Sequence, residues 1–407
     1  MQFDETAHLL LAFVVSIACA RLVGRLFAVI GQPRVIGEVT AGILLGPSLL
    51  GWALPGPWEF VFSEATLSAL DEIAGVALIL FMFLGGLELR LTVIKEQWRA
   101  AISTSVFGIL LPFGIGLALF PLLRPLAPQG VSSVASAMFL ASAMSVTALP
   151  LLVRIVLETG IGSSRLGSLA IACASIDDLF AWALLAVSLA VAGSGTLSGA
   201  ALTMLLAGAY IAFMLTVGRR ALAWYVRRCD PEARGGVPLF VTLVLLMFTS
   251  SLVTEVIGIQ EIFGAFIFGV IVPQDARVRE RLVERVEPLV VGVFLPLFFV
   301  YVGLHTQLGL LSGPHMWMLA GLVTGGAVLG KYLGASLAGR WQGMLARDAS
   351  TMGWLMNMRG LTELIFLNVG IEEGLVSPEL FAIFVVMALA TTALSSAMLA
   401  WTGKRPG

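Results

Sequence analysis

Charge is what this sequence has least of. Only 12% of its 407 residues are Asp, Glu, Lys or Arg, about half the share found in a soluble protein. The chain is 58% hydrophobic, and apolar stretches long enough to span a bilayer recur from end to end, which excludes an ordinary water-soluble domain. Histidine and cysteine are scarce, with three of each. Cys19, Cys173 and Cys229 are scattered, lack metal-ligand spacing and outline no disulfide framework. No nucleotide loop or basic nucleic-acid stripe is present, and a formal net charge of −1 favours no charged partner. The first apolar run ends in Arg21 and Arg25 with no small-residue cleavage site before them, so it reads as a span and not as a removable signal. The expected class is an all-α polytopic membrane protein, not an enzyme, without cofactor and without nucleic acid.

About thirteen transmembrane helices are expected. The distribution of positive charge orients them. With the N-terminus outside, inner loops collect Arg21, Arg25 and Arg34, then Arg90, Lys95 and Arg99, then Arg154 and Arg165. Further along they collect Arg219, Arg220, Arg227, Arg228 and Arg234, then Arg277, Arg279, Arg281 and Arg285, then Arg340 and Arg347, and last Lys404 and Arg405, while the outer side receives only Arg124. This places the C-terminus in the cytoplasm and the chain in the inner (plasma) membrane. Residues 276–287 combine these arginines with Val278, Leu282, Val283 and Val286 at helical spacing, which predicts a charged interfacial helix. Two triplets of spans, within 100–193 and 311–407, share a layout and lie seven spans apart. They therefore run in opposite orientations, as in transporters built from inverted repeats whose broken helices cross at the midplane.

The few polar residues at span depth carry the functional argument, because a charge there survives mainly where it faces protein or a wet cavity. Asp177 and Asp178 sit inside an apolar run. Adjacent helical side chains diverge by about 100°, so one acid can face a cavity while the other faces a neighbouring helix. In Ser142-Ala-Met-Ser-Val-Thr-Ala-Leu-Pro150, the proline removes a backbone donor and disfavours helix at Leu149, which predicts a break near Thr147. A break frees carbonyls and amides that a cation or a side chain must satisfy. The corresponding segment of the second triplet holds Asn357, Arg359, Gly360 and Glu363. Arg359 and Glu363 are one turn apart and are expected to form a structural ion pair on one helix face. Lys331 lies mid-span and needs a carboxylate, with Asp177 or Asp178 as candidates. Glu38 is expected at an interface, and Glu255 and Glu261 beside an outer turn.

Four stretches in order, Ile36-Gly-Glu-Val-Thr-Ala-Gly-Ile-Leu-Leu-Gly-Pro-Ser-Leu-Leu-Gly51, Ser145-Val-Thr-Ala-Leu-Pro150, Ile176-Asp-Asp-Leu-Phe-Ala-Trp182 and Met356-Asn-Met-Arg-Gly-Leu-Thr-Glu-Leu364, give the chain its likeness. Together they resemble the monovalent cation:proton antiporters, in the second large branch, which includes bacterial sodium/proton antiporters, potassium efflux systems and plant cation/proton exchangers. The resemblance covers essentially the whole chain. It implies a homodimer, with residues 1–99 and 194–310 forming a dimerisation domain and linker helix. Residues 100–193 and 311–407 would form a mobile core that works as an elevator. It implies that Asp178 binds the ion and the proton, with sodium at that carboxylate, and that Asp177 is the neighbouring acid that marks electrogenic members. It also implies that Lys331 pairs with Asp177 and gives up its proton when sodium binds. Ser145 and Thr147 would supply oxygens from the broken helix. Potassium efflux systems often carry Gln-Asp at the acid pair, so Asp-Asp puts sodium ahead of potassium or lithium.

Two other classes place acids in a membrane. An intramembrane aspartyl protease needs its aspartates on two facing helices, which adjacent residues on one helix cannot provide. A sodium-coupled symporter of organic anions shares the expected fold and needs a roomy cavity for its substrate.

Overall fold

The computed structural model describes residues 5–88, 91–158, 161, 164–193, 197–228, 237–259, 261–273 and 276–402. Cys229, Arg90, Arg234, Lys404 and Arg405 lie outside these residues, as do the side chains of Lys95, Arg154 and Arg277. The described regular structure is entirely helical. It opens with α1 (Glu5–Val29), α2 (Arg34–Leu45), two short helices α3 (Leu50–Ala53) and α4 (Pro55–Val61), α5 (Glu64–Glu88) and α6 (Leu91–Leu123). Next come α7 (Ser133–Ala143), α8 (Leu149–Glu158), α9 (Arg165–Gly193), α10 (Leu197–Phe213), α11 (Arg219–Arg228) and α12 (Val237–Ile257). The chain continues as α13 (Glu261–Ile271), α14 (Ala276–Leu289), α15 (Leu295–Leu304), α16 (Pro314–Trp341), α17 (Ala346–Met356), α18 (Leu361–Glu372) and α19 (Pro378–Thr402).

Among the described residues, ten helices are long and apolar enough to cross a membrane, so the expectation of thirteen spans is not established by length and composition. The difference lies in three segments. The two broken spans are each divided into a pair of short helices, α7 with α8 and α17 with α18, and α13 has only 11 residues. The charged segment expected as a separate interfacial helix also differs. Helix α14 runs through one wide turn, Val290–Phe294, directly into α15. Its Val278, Leu282 and Val286 are buried, and α14 and α12 together line a small cavity at Leu239, Leu243, Val278 and Leu282. The amphipathic spacing was legible, but the apolar stripe packs on protein instead of lipid.

The helices pack as two groups. In one, α6 lies along α16, α9 packs on α6 and α7, and α16 packs on α17 and α19. In the other, α1 packs on α2, α2 on α15, α5 on α13 and α15, and α12 on α13. Small residues let these backbones approach, as membrane helices require when lipid provides no hydrophobic drive. A methyl group on Gly42 would strike the Val300 carbonyl, and one on Gly303 would strike the Val39 carbonyl. The α2–α15 crossing therefore depends on both glycines. The first group carries the polar core.

Candidate functional site

The expected break at Thr147 is present. Helix α7 stops at Ala143, α8 starts at Leu149, and Pro150 occupies the second position of α8, where a missing amide costs nothing. The second break separates α17 from α18 at residues 357–360. The two interruptions cross and touch. The Ala148 N–H donates to the Met358 carbonyl at 3.1 Å, joining one broken span to the other through backbone alone. Four helix ends meet here, so the partial negative charge of two C-termini and the partial positive charge of two N-termini share one buried layer.

Each end finds a side chain of suitable sign. Arg359 Nη1 donates to the Ala143 carbonyl at 2.8 Å, and Nη2 donates to the Met144 carbonyl. These are carbonyls that the end of α7 leaves free. Glu363, in the first turn of α18, accepts from Arg359 Nη1 at 3.3 Å. The expected ion pair is therefore present, but with a different setting. Arg359 lies in the extended break before α18, not on a shared helix face, and its better bonds go to the other broken span. On the far side of the break, Thr392 of α19 accepts from the Arg359 N–H at 3.0 Å and donates to the Arg359 carbonyl at 2.5 Å. Sequence reasoning missed Thr392. The Thr391-Thr392 pair in an otherwise apolar span was the available signal.

Asp177 and Asp178 project from the middle of α9, and both are buried. Asp177 Oδ2 accepts from Lys331 Nζ at 2.7 Å and from Thr147 Oγ1 at 2.8 Å. Lys331, from α16, is fully buried and also donates to the Ser145 carbonyl in the first break. Between the two residue-level candidates, then, the lysine takes Asp177. Thr147 Oγ1 is a further 3.0 Å from the Met356 carbonyl at the end of α17. Ser145 lies in the same layer, but its hydroxyl is turned back to the Ala141 carbonyl at 2.8 Å, so only its backbone oxygen faces the lysine.

Asp178 is different. Neither of its oxygens has a hydrogen-bond partner, and neither does Asp177 Oδ1. The Leu149 amide, at the start of α8, is the backbone group that acts on Asp178. Buried polar groups are almost always paired, so these three carboxylate oxygens on adjacent residues, with no hydrogen bond of ordinary geometry, are candidate ligands. Oxygen donors of this type suit a hard monovalent cation, and a carboxylate suits a proton equally well. Among the described residues no group of His, Cys, Asp and Glu is placed to hold a resident metal.

The remaining expectations lie elsewhere. Glu38, near the start of α2, is buried, and its side chain packs against Gly24 of α1. Glu255 and Glu261 flank a tight turn at Gly258, whose φ of 88° favours glycine. His305, on which no expectation rested, is exposed, and its ring bonds to the Tyr301 carbonyl at 3.0 Å, a local contact that ends α15.

Residues 11–405 match the family model described as sodium/hydrogen exchanger, transmembrane. The Na(+)/H(+) antiporter NhaS4 of Synechocystis sp. is 41% identical over 398 residues, covering 97% of this chain and 97% of that protein. Cation/H(+) antiporter 20 of Arabidopsis thaliana is 38% identical over 392 residues, and the match covers 93% of this chain but only 46% of that longer protein. Among solved structures, the sodium proton antiporter MjNhaP1 of Methanocaldococcus jannaschii superposes with a TM-score of 0.74 over 98% of both chains at 16% identity, which is a likeness of fold.

Proposed function

The chain belongs to the sodium/hydrogen exchanger family, and from that premise we propose that it is an antiporter that exchanges a monovalent cation, sodium ahead of potassium or lithium, for protons. The observation that carries this reading is the pairing at the crossing: a buried Asp177–Lys331 ion pair beside an unpartnered, buried Asp178. One carboxylate that holds either a cation or a proton, but not both, couples the two fluxes once it is exposed to each side in turn.

The residues divide the work. Asp178 is the binding carboxylate. Cation entry draws Asp177 Oδ1 into the ligand set and weakens its hold on Lys331, whose proton then leaves. When the cation departs, Lys331 takes a proton back and the pair re-forms. Thr147 holds Asp177 in register, and Arg359 with Glu363 keeps the crossing intact. The helix group of α6–α9 and α16–α19 moves as the transport core against the group of α1, α2, α5, α12, α13 and α15, which forms the homodimer contact. Movement of two acids with one lysine makes the exchange electrogenic. The protein sits in the plasma membrane with its N-terminus outside and its C-terminus in the cytoplasm.

The test is proton movement in proteoliposomes under imposed sodium or potassium gradients, with Asp178→Asn beside the unmodified protein. Saturable, sodium-driven alkalinisation that disappears in the variant supports the reading. A response to potassium alone transfers the substrate, and no proton movement with either ion across pH 6 to 9 overturns antiport.

A further inference from the structure

A second polar feature lies away from the ion site, at the far end of the same helices. A cleft of about 710 Å³ opens where α6 and α9 begin, α16 ends and α17 starts. Every wall comes from the helix group that carries Asp178, so the cleft is not part of a path between the two groups. Leu169 lines it, and Asp177 follows eight residues later on α9, which places the floor about 12 Å from the ion pair along the helix axis. Cys173 fills the turn between them, and its carbonyl accepts from Ser105 of α6 at 3.0 Å.

The cleft has a distinct chemistry. Arg99 and Arg165 both line it, and neither makes an ion pair among the described residues. Two guanidiniums without an ion-pair partner among the described residues, in one cleft with Asp348, supply the charge and the planar donors that suit a phosphate group. Gln342 is fixed beside them, because its amide nitrogen donates to Ser103 Oγ at 2.6 Å and shares its second proton between Thr104 Oγ1 and the Ala100 carbonyl at 3.2 and 3.3 Å. Its oxygen is left at the buried floor without a partner. Asp348 contributes a second acceptor. The rim is apolar and uncovered, with Trp341 75% and Leu345 71% exposed. An indole at a helix end between polar and apolar surface is the usual mark of a membrane interface.

We infer that this cleft binds the headgroup of an anionic phospholipid whose phosphodiester carries free hydroxyls, of the phosphatidylglycerol type. Arg99 and Arg165 hold the phosphate. The two hydroxyls donate to Gln342 Oε1 and Asp348, and the acyl chains leave over Trp341 and Leu345. Among the described lining residues, two arginines against one carboxylate leave one positive charge, which a singly charged headgroup neutralises and a zwitterionic one does not. The site requires only that the chain spans a membrane, and it stands whether or not the transported ion is sodium.

Delipidated protein in detergent is titrated with short-chain phosphatidylglycerol, phosphatidylethanolamine, phosphatidylcholine or glycerol phosphate, read by native mass spectrometry and by unfolding temperature. Phosphatidylglycerol is expected to bind at no more than one tenth of the concentration needed for the zwitterionic lipids. Arg99→Gln/Arg165→Gln is expected to abolish that preference, and Arg227→Gln, outside the cleft, to retain it. Equal binding of all three lipids, or a preference that survives the double variant, overturns the site. Glycerol phosphate binding as tightly as the lipid overturns the assignment to a lipid. Because the double variant could fail to fold, quenching by dibrominated phosphatidylglycerol is compared between the unmodified protein and Trp341→Phe. A quenching component lost in Trp341→Phe places the lipid at this rim, and equal quenching in both removes it.

Discussion

The Thr147 hydroxyl lies 2.8 Å from Asp177 Oδ2 and 3.0 Å from the Met356 carbonyl, with a single proton to give. While Asp177 is ionised, the charged acceptor wins that proton. When Asp177 is protonated or turned toward a cation, the hydroxyl is free to donate to Met356 instead. One side chain therefore connects the state of the acid on α9 to the end of α17.

Thr147→Val removes this connection at nearly constant volume. Initial rates of cation-driven proton movement are expected to fall about tenfold, equivalent to about 1.4 kcal/mol. Thr147→Ser keeps the hydroxyl and is expected to retain most of the rate. A serine variant as slow as the valine one would show that only the methyl group matters.

Lys331→Met leaves Asp177 buried beside one weak donor. Breaking one side of a buried pair costs about 3–5 kcal/mol, so the unfolding temperature in detergent is expected to drop clearly. Adding Asp177→Asn to Lys331→Met is expected to recover much of the loss, because no uncompensated charge remains. Additive losses in the double variant would refute the pairing as the source.

Asp178→Asn is isosteric and removes a buried carboxylate that accepts no hydrogen bond of ordinary geometry. The thermal midpoint is expected to stay level or rise while exchange disappears. A large loss of stability would mean that Asp178 has a structural partner that the geometry does not display.

Competition for one carboxylate fixes a sign for pH. The sodium concentration giving half-maximal exchange is expected to rise as pH falls, by about tenfold per unit where Asp178 alone titrates and more steeply where Lys331 also gives up its proton, by mass action. At high pH the constant should level off. A half-saturation that ignores pH would require separate sites for the two ions.

Arg359→Lys keeps the charge but not the fork. A lysine cannot serve the Ala143 carbonyl, the Met144 carbonyl and Glu363 from one plane, so stability is expected to fall by about 2–3 kcal/mol. Glu363→Gln, which alters a longer 3.3 Å contact, is expected to cost less. Calorimetric or fluorescence-detected unfolding of both variants checks the order.

The acids, Lys331, Arg359 and the Pro150 break were legible in the sequence because each violates what a lipid environment tolerates. A charge or a missing amide at span depth is conspicuous without any knowledge of neighbours. Partners were harder to read. Whether Lys331 takes Asp177 or Asp178 depends on the rotation of α9 against α16, and helical spacing alone does not fix that rotation between two separate helices. Arg359 was assigned to Glu363 by its four-residue spacing, whereas its closer bonds go to carbonyls of a different span. The burial of Glu38 and of the apolar stripe of α14 against protein was not legible for a related reason. A polar or amphipathic segment looks the same in sequence whether it meets water, lipid or another helix.

The hydrogen bond from Ala148 to Met358 has a consequence for how the site can be altered. It acts as a rivet between two chain paths that would otherwise be free to slide, and it contains no side-chain atom. The spacing of the two breaks beside Asp177 and Asp178 is thus a matter of masonry rather than furnishing. Exchanging side chains around it can tune how tightly an ion is held. Moving one break against the other would require the chain itself to be lengthened or shortened on one side of the rivet.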